Sequence, residues 1–364
     1  MKALIMRPES EAELSELIRS AERPLTVLGG ATRALETPPE DVLHTSGLTG
    51  VVLYEPGALT LVVRAGTGLA EIETLLASER QRLSFEVPDL RGLLRRNGAS
   101  TIGGVVASNA SGPRRVQSGA CRDSLLGVRF VDGRGDIVKN GGRVMKNVTG
   151  YDLVKLMAGS RGSLGVLTEV SLRVQAMAEA EVTLACDCAA EAGLAHLQKA
   201  LGSPFDVSGA AYAEGRALLR IEGMAGSVAY RAAALRAHLG GDWQEIPAEQ
   251  SAAVWSAVRD VSALAARDGS VWRLVVTPTA AAGIAATLGG HAVFDWGGGL
   301  IWALTEWGQA ARVRAAVGPN GHATLVRAST GDAPQDALPP EPAAIAALTR
   351  GLKAQFDPRQ IFKS

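Results

Sequence analysis

Gly98-Ala-Ser-Thr-Ile-Gly-Gly-Val-Val-Ala-Ser-Asn-Ala-Ser-Gly-Pro-Arg-Arg115 is the stretch on which the reading of this chain turns. It sets Gly103, Gly104 and Gly112 among small and hydroxylated residues. Backbone without a Cβ approaches a ligand closely and can present its N–H groups to phosphate oxygens. Thr101, Ser108, Asn109 and Ser111 add short polar side chains beside it. So glycine-rich a run loses much conformational entropy on folding, which packing alone does not offset. It reads as a cradle for a dinucleotide.

Working outward, residues 92–165 hold 15 of the 42 glycines. Upstream, Leu25-Thr-Val-Leu28 reads as a strand that runs into Gly29-Gly30-Ala31-Thr32-Arg33. There the backbone N–H groups would face a diphosphate and Arg33 would add positive charge; taken alone, such a turn is an ordinary strand end. Ser10-Glu-Ala-Glu13 is a capping box opening a helix to about Ala21. A hairpin is expected over 51–54 and 59–64, then an amphipathic helix over 69–77, making a small mixed first lobe. A second lobe follows, with strands near 127–131, 136–138 and 166–174. After about 176 the character changes to alternating strands and alanine-rich helices. Strands are expected near 182–186, 207–212, 217–222, 271–276, 300–304 and 322–327, a βαββα rhythm of ferredoxin-like type. The stretch from about 328 to 342 is rich in Asp, Gly and Pro and reads as a loop.

Composition narrows the function. A chain of 364 residues suggests two domains, and 47% hydrophobic residues suffice for sizeable cores. Lys+Arg and Asp+Glu both total 37, which argues against a nucleic-acid binder. No run reaches the roughly 18 apolar residues of a membrane span. Met1-Lys-Ala-Leu-Ile-Met6 leads straight into Arg7-Pro8 without a signal-peptide core, so a cytoplasmic location is expected. Three cysteines make neither a disulfide framework nor the four ligands of an iron–sulfur cluster, so any cluster must sit on another subunit. Cys186-Asp-Cys188 reads as a strand alternation rather than a metal half-site. The five histidines are dispersed, and no metal site is expected. Gly66-Thr-Gly68-Leu-Ala-Glu71 lacks the third glycine of a Rossmann fingerprint, and no P-loop pattern occurs.

The 98–112 run resembles the T-I-G-G-x-x-A-x-N-A-S-G segment of the vanillyl-alcohol oxidase, or PCMH-type, FAD-binding family. Pro88-Asp89, Gly119 and Asp123 within 118–127, and Gly159-Ser-Arg-Gly-Ser-Leu-Gly-Val166 resemble further family elements in the same order. Ser111–Arg115, Val144–Leu153, Asp295-Trp-Gly-Gly-Gly299 and Asn320–Thr324 are similar to the family of smaller flavin-binding subunits of bacterial glycolate oxidases. The resemblance implies an α+β fold, with a PCMH-type FAD-binding domain of two lobes over 1–176 and a ferredoxin-like cap over 177–364. It implies FAD held non-covalently, since no His stands beside the Gly29-Gly30 pair where some members attach it.

On the same resemblance the cofactor contacts are Gly29, Gly30, Ala31, Thr32, Arg33, Pro88, Thr101, Ile102, Gly103, Gly104, Ser108, Asn109, Ser111, Gly112, Gly119, Asp123, Gly165 and Val166. Arg115, Tyr151 and His322 are the catalytic candidates, with structural readings beside each: a solvated arginine, a helix start, a satisfied core or surface histidine. The implied partners are a larger FAD-binding subunit and an iron–sulfur subunit, oxidising glycolate to glyoxylate, with membrane attachment only through those partners. A stand-alone oxidase or dehydrogenase of another small hydroxylated substrate and a non-catalytic scaffold subunit are the alternatives. The C-terminus departs from the family pattern D-P-x-x-I-F-N-P-G: Asp357-Pro-Arg-Gln-Ile-Phe362 is followed by Lys363-Ser364. Trp302 is expected in the core, and Trp296, beside Asp295 and three glycines, at the flavin cleft or a subunit contact.

Overall fold

The computed structural model describes residues 4–33, 41–144, 150–329, 337–339 and 341–363. Most of the loop expected at 328–342 and part of the 144–153 motif lie outside them. The helix Glu11–Ser20 begins as its sequence predicts: the Glu13 N–H donates to Ser10 Oγ, and the Glu13 carboxylate accepts from Glu9 N–H. It packs Leu14 and Ile18 on a small parallel sheet of β1 (Ile5–Met6), β2 (Leu25–Leu28), β3 (Asp41–His44) and β18 (Phe362–Lys363), in the order β1-β3-β2-β18. The chain's last strand thus returns to its first sheet.

The second sheet is antiparallel: β4 (Val51–Glu55), β5 (Thr60–Arg64), β9 (Val166–Ala176), β7 (Leu125–Val131) and β8 (Ile137–Gly141), with β6 (Gln81–Leu83) also paired to β9. The hairpin β4–β5, expected in the first lobe, belongs here. Leu61, Val62 and Val63 are all buried, so β5 needs cover on both faces and a neighbour on each side; β9 supplies the second neighbour, from Thr60↔Arg173 to Arg64↔Glu169. Sequence reading missed β3, whose four residues are too few to show a period.

Beyond Ala176 a single antiparallel sheet of eight strands runs β13-β10-β12-β11-β15-β16-β14-β17. It contains the ferredoxin-like motif twice. The first copy is β10 (Ala180–Asp187), helix Ala190–Leu201, β11 (Val207–Ala213), β12 (Arg216–Gly223), helix Ala225–Leu239 and β13 (Gln244–Ile246). The second is β14 (Ser270–Val276), helix Ala281–Leu288, β15 (Ala292–Asp295), β16 (Leu300–Thr305), helix Ala310–Val317 and β17 (Gly321–Arg327). In each, the first and third strands are central and the second and fourth lie outside. The copies join where Tyr212 pairs with Phe294. Their four helices bury one face through Leu194, Leu197, Val228, Leu235, Ile284, Leu288, Val313 and Val317. The other face is covered by Trp255 of helix Ala248–Arg259 on one half, and by Leu93 from the first half of the chain, packed with Trp296 and Trp302, on the other. This second contact brings the cap onto the glycine-rich segment. No described helix is long and apolar enough to cross a membrane.

Candidate active site

The two glycine loops meet backbone to backbone. A Cβ on Gly30 would stand 1.5 Å from the Ala99 carbonyl oxygen, and one on Gly98, at φ +116°, would stand 2.4 Å from the Gly30 oxygen. Only glycine permits this approach. Across the seam, Arg33 donates from Nη1 to Ser100 Oγ at 2.6 Å and from Nη2 to the Pro88 carbonyl at 2.8 Å, while its buried Nε has no partner. Burial lowers the Arg33 pKa, with Asp89 opposing. Among the described residues, no hydrogen bond engages the backbone N–H groups of Gly30, Ala31 or Thr32, and Ala31 takes the left-handed conformation at φ +55°.

The cradle itself is differently engaged along its length. Thr101 caps the short helix Ile102–Ala107. The Ile102 N–H donates to Thr67 O at 3.0 Å and the Gly103 N–H to Ala65 O at 2.7 Å, so those two groups serve the fold. A Cβ on Gly103 would meet Ala65 at 2.8 Å, whereas one on Gly104 would find nothing nearer than Thr101 Oγ1 at 3.4 Å. The expectation that both glycines make room for ligand therefore meets two surroundings, and Gly103 makes room for Ala65. Ser108 Oγ donates back to Gly104 O, Asn109 Oδ1 accepts from Arg122 N–H, and Ser111 Oγ accepts from Arg115 Nη1 at 3.1 Å. The Asp123 carboxylate accepts from Ala120 N–H and lies against Gly119. Gly165 packs on Phe130, and Val166 pairs with Val131.

The cap completes the site. Asp295 ends β15 and its carboxylate accepts the Trp296 N–H at 2.7 Å. Trp296 is held at φ +56°, a left-handed conformation costly for a bulky residue, and its Nε1 donates to the Gly112 carbonyl at 3.0 Å. It is 9% exposed, so it is buried rather than lining open solvent. Two guanidiniums approach its ring: Arg115 Cζ at 4.7 Å and Arg273 Cζ, from β14, at 5.4 Å. Burial, with the charges of Arg115 and Arg161, brings the Arg273 guanidinium down to about 10. His322 on β17 joins the cluster: burial first, then Arg273, lowers its pKa. Tyr151 does not; it is 90% exposed and lines a separate small cavity with Asn140 and Lys155. Arg161 and Arg273 escaped sequence reading because Arg161 stands at the variable position of the 159–166 element and Arg273 in no motif.

Beneath the cluster a buried ionic network ties the halves together. Arg114 is buried and holds Glu222 through Nε at 3.0 Å and Nη2 at 2.8 Å. Arg82 also pairs with Glu222, and Arg220 pairs with Glu86 at 2.9 Å. Burial pushes both carboxyls up, but Arg220 and Arg114 outweigh it and hold both below the ordinary carboxylate range. Asp295, fully buried and near Glu86, is instead pushed up to about 7, chiefly by desolvation. A larger groove of 740 Å³ opens at the seam between the two cap repeats, among Tyr212, Glu214, Arg267, His291 and Phe294, and neither glycine loop lines it. Among the described residues no group of three or more His, Cys, Asp or Glu could hold a metal ion.

A family profile described as FAD binding domain matches residues 2–141. Over 348 residues the chain is 34% identical to glycolate oxidase subunit GlcE of Escherichia coli strain K12, covering 94% of this chain and 92% of that protein. The chain belongs to the GlcE family. It is an FAD-dependent oxidoreductase of PCMH-type fold, and FAD is its cofactor. Half of the chain also resembles glycolate oxidase subunit GlcD of Bacillus subtilis, 41% identical over 50% of this chain and 39% of that one. The mitochondrial D-lactate dehydrogenase [cytochrome] of Arabidopsis thaliana is 30% identical over 50% of this chain and 32% of its own length. Among solved structures, an alkyldihydroxyacetonephosphate synthase shares the fold, with a TM-score of 0.70 at 15% identity over 98% of this chain and 75% of that one. This chain thus joins the flavin fold to a cap whose Asp295-Trp296 turn reaches the cradle.

Proposed function

We propose that this chain is the smaller FAD-binding subunit of a glycolate oxidase complex, with a larger flavoprotein subunit and an iron–sulfur subunit as partners. Glycolate is oxidised to glyoxylate, and electrons leave through flavin for the iron–sulfur subunit. The observation that carries the flavin site is the seam of the two loops, where the buried Arg33 Nε has no partner while the nitrogens flanking it are engaged. A diphosphate supplies the acceptor that such a nitrogen lacks. Gly29–Arg33, Thr101 and Gly104 would hold it; Ile102, Gly103, Ser108, Asn109, Ser111, Gly112, Gly119, Asp123, Gly165 and Val166 shape the walls. Bound FAD supplies the two-electron oxidation of an alcohol carbon.

Of the catalytic candidates, Arg115 lies over Trp296 at the cap contact, and His322 feels the charge of Arg273, the other guanidinium over that ring. Burial and Arg273 favour a neutral imidazole on His322, the form that accepts a proton. The same reading divides the chain at 176 into flavin domain and cap, with β18 returned to the first sheet, and places the complex in the cytoplasm, at the membrane only through its partners. The purified chain is expected to be yellow and, alone, to turn glycolate over slowly or not at all with an artificial acceptor; activity should appear on adding the larger subunit. Turnover by the isolated chain at ordinary enzyme rates, about 1–10³ per second, would favour a stand-alone oxidase. A colourless protein that takes up no FAD would favour the scaffold.

A further inference from the structure

Asp295-Trp-Gly-Gly-Gly299 is a motif that the flavin assignment leaves without a role. In the fold it is a turn with three successive left-handed residues, Trp296 at φ +56°, Gly297 at φ +64° and Gly298 at φ +100°. Glycine takes that conformation freely; tryptophan does not. Strain of this kind persists only where the surroundings over-determine it, and it gathers at functional positions. The Asp295 carboxylate, itself buried, accepts the Trp296 N–H at 2.7 Å. A Cβ on Gly297 would stand 2.4 Å from Leu201 of the first cap repeat, and one on Gly298 3.2 Å from the Pro278 oxygen of the second, so the turn is wedged between the repeats. From that footing Trp296 reaches across to the flavin half, where its Nε1 donates to the Gly112 carbonyl at 3.0 Å. The same oxygen accepts the Arg115 N–H at 3.1 Å, closing the turn 112–115 at the end of the cradle segment. The Arg115 guanidinium then lies over the Trp296 ring, 4.7 Å from its centroid. One tryptophan thus holds both the backbone and a side chain of the turn by which the chain leaves the cradle.

We propose that the Asp295–Gly299 turn is a latch by which the cap sets the backbone of 109–115 for FAD, with Trp296 and Asp295 as positioning residues. Trp296 fixes the Gly112 carbonyl, and Asp295 fixes Trp296. The inference rests on the flavin reading above and adds to it a part played by the cap. Packing alone does not require a left-handed tryptophan, whereas delivering an indole N–H to one carbonyl across the interface constrains the backbone as well as the ring. Holding 109–115 in place before FAD arrives removes an ordering cost from binding.

The test uses the full chain, stripped of FAD and titrated with it again, at one pH and ionic strength. The readouts are the FAD dissociation constant from flavin fluorescence, amide hydrogen exchange over 109–115 in the apoprotein, and the apoprotein's melting temperature. Trp296→Phe keeps a ring and removes the N–H. It should weaken FAD binding by roughly three- to tenfold, the range to which the net contribution of one hydrogen bond converts, and speed exchange over 109–115. Asp295→Leu, which takes the acceptor from the Trp296 N–H, should do the same, whereas Asp295→Asn, which keeps an oxygen acceptor, should restore both values to those of the unaltered chain. Trp302→Phe, in the same apolar cluster, should lower the melting temperature at least as far as Trp296→Phe and leave FAD affinity and 109–115 exchange unchanged. Trp296→Phe remains informative if Asp295→Leu fails to fold. Unchanged FAD affinity in Trp296→Phe, or a loss no greater than that in Trp302→Phe, makes Trp296 a core residue and overturns the proposal. Asp295→Asn binding FAD no better than Asp295→Leu overturns the role given to Asp295. Failure of the unaltered chain to take up FAD strikes the flavin assignment instead, and exchange over 109–115 in the apoprotein then still decides whether the latch orders that turn.

Discussion

Gly103 and Gly104 adjoin in the chain yet answer to different constraints. Gly103 lies against Ala65, so Gly103→Val is expected to destabilise the fold by about 1–3 kcal/mol or more through overpacking. A Cβ on Gly104 would meet only Thr101 Oγ1, at 3.4 Å, so Gly104→Val should keep its secondary structure and lose flavin. Circular dichroism and the visible flavin band, measured on both variants, separate the two effects; stoichiometric FAD retained in Gly104→Val would remove that glycine from the site. Asp295 acts at the same scale through its proton. Its carboxyl is raised to about 7, above its unfolded value, so its contribution is most favourable below the unfolded pKa and is lost as pH rises through 7. Stability should therefore decline between about pH 4 and pH 7 by up to about 4 kcal/mol, and Asp295→Asn should flatten that slope in denaturant titrations. Glu86 and Glu222 act oppositely: their pKa values are lowered, so the stability they confer is present above the unfolded carboxyl pKa and is lost as acid protonates them.

At the scale of elements, the two-residue β18 has the longest reach. Asp357 accepts the N–H groups of Ile361 and Phe362, and this turn aligns Phe362 beside Leu25 of β2, the strand that delivers Gly29 and Gly30 to the seam. The departure from the family's terminal Asn-Pro-Gly leaves this sheet closure in place. Phe362 is buried in the first core, and Phe362→Ala is expected to cost about 3 kcal/mol and to weaken FAD binding as well. Thermal melts with and without added FAD check this. Unchanged flavin affinity in a destabilised variant would show that β18 supports the sheet without ordering the loop.

Across the whole molecule, the two halves meet through charge. Glu222 receives Arg82 and Arg114 from the flavin half and Arg220 from its own strand, all buried or nearly so. Removing its charge takes the ion pair from Arg82 and leaves Arg114 and Arg220 to share Glu86, and Glu222→Gln should cost about 3–5 kcal/mol. The Arg95–Asp268 pair also joins the halves, but Asp268 is 95% exposed, and Asp268→Asn should leave the melting temperature unchanged. Equal effects of the two substitutions would show that burial does not govern this interface.

The flavin fold was legible in the sequence because it depends on short, local chemistry: glycine where backbones touch at 30 and 98, a capping box at 10–13, strand alternation in 166–174. The cap was legible as a rhythm, and its two repeats follow from that order of strands and helices. What only the tertiary structure decided are pairings between distant residues. The hairpin 51–64 joined β9 because buried strands need neighbours on both sides, and β18 crossed back to β2, which no local period signals. The roles of Gly103, Arg114 and Trp296 were set by what lies opposite them: Ala65, Glu222 and a pair of guanidiniums. Arg273 carries no motif, and its convergence with Arg115 on one tryptophan exists only once the cap is docked. Local backbone requirements are written in single residues and their neighbours, whereas the placement of charge in space depends on packing across more than a hundred residues of intervening chain.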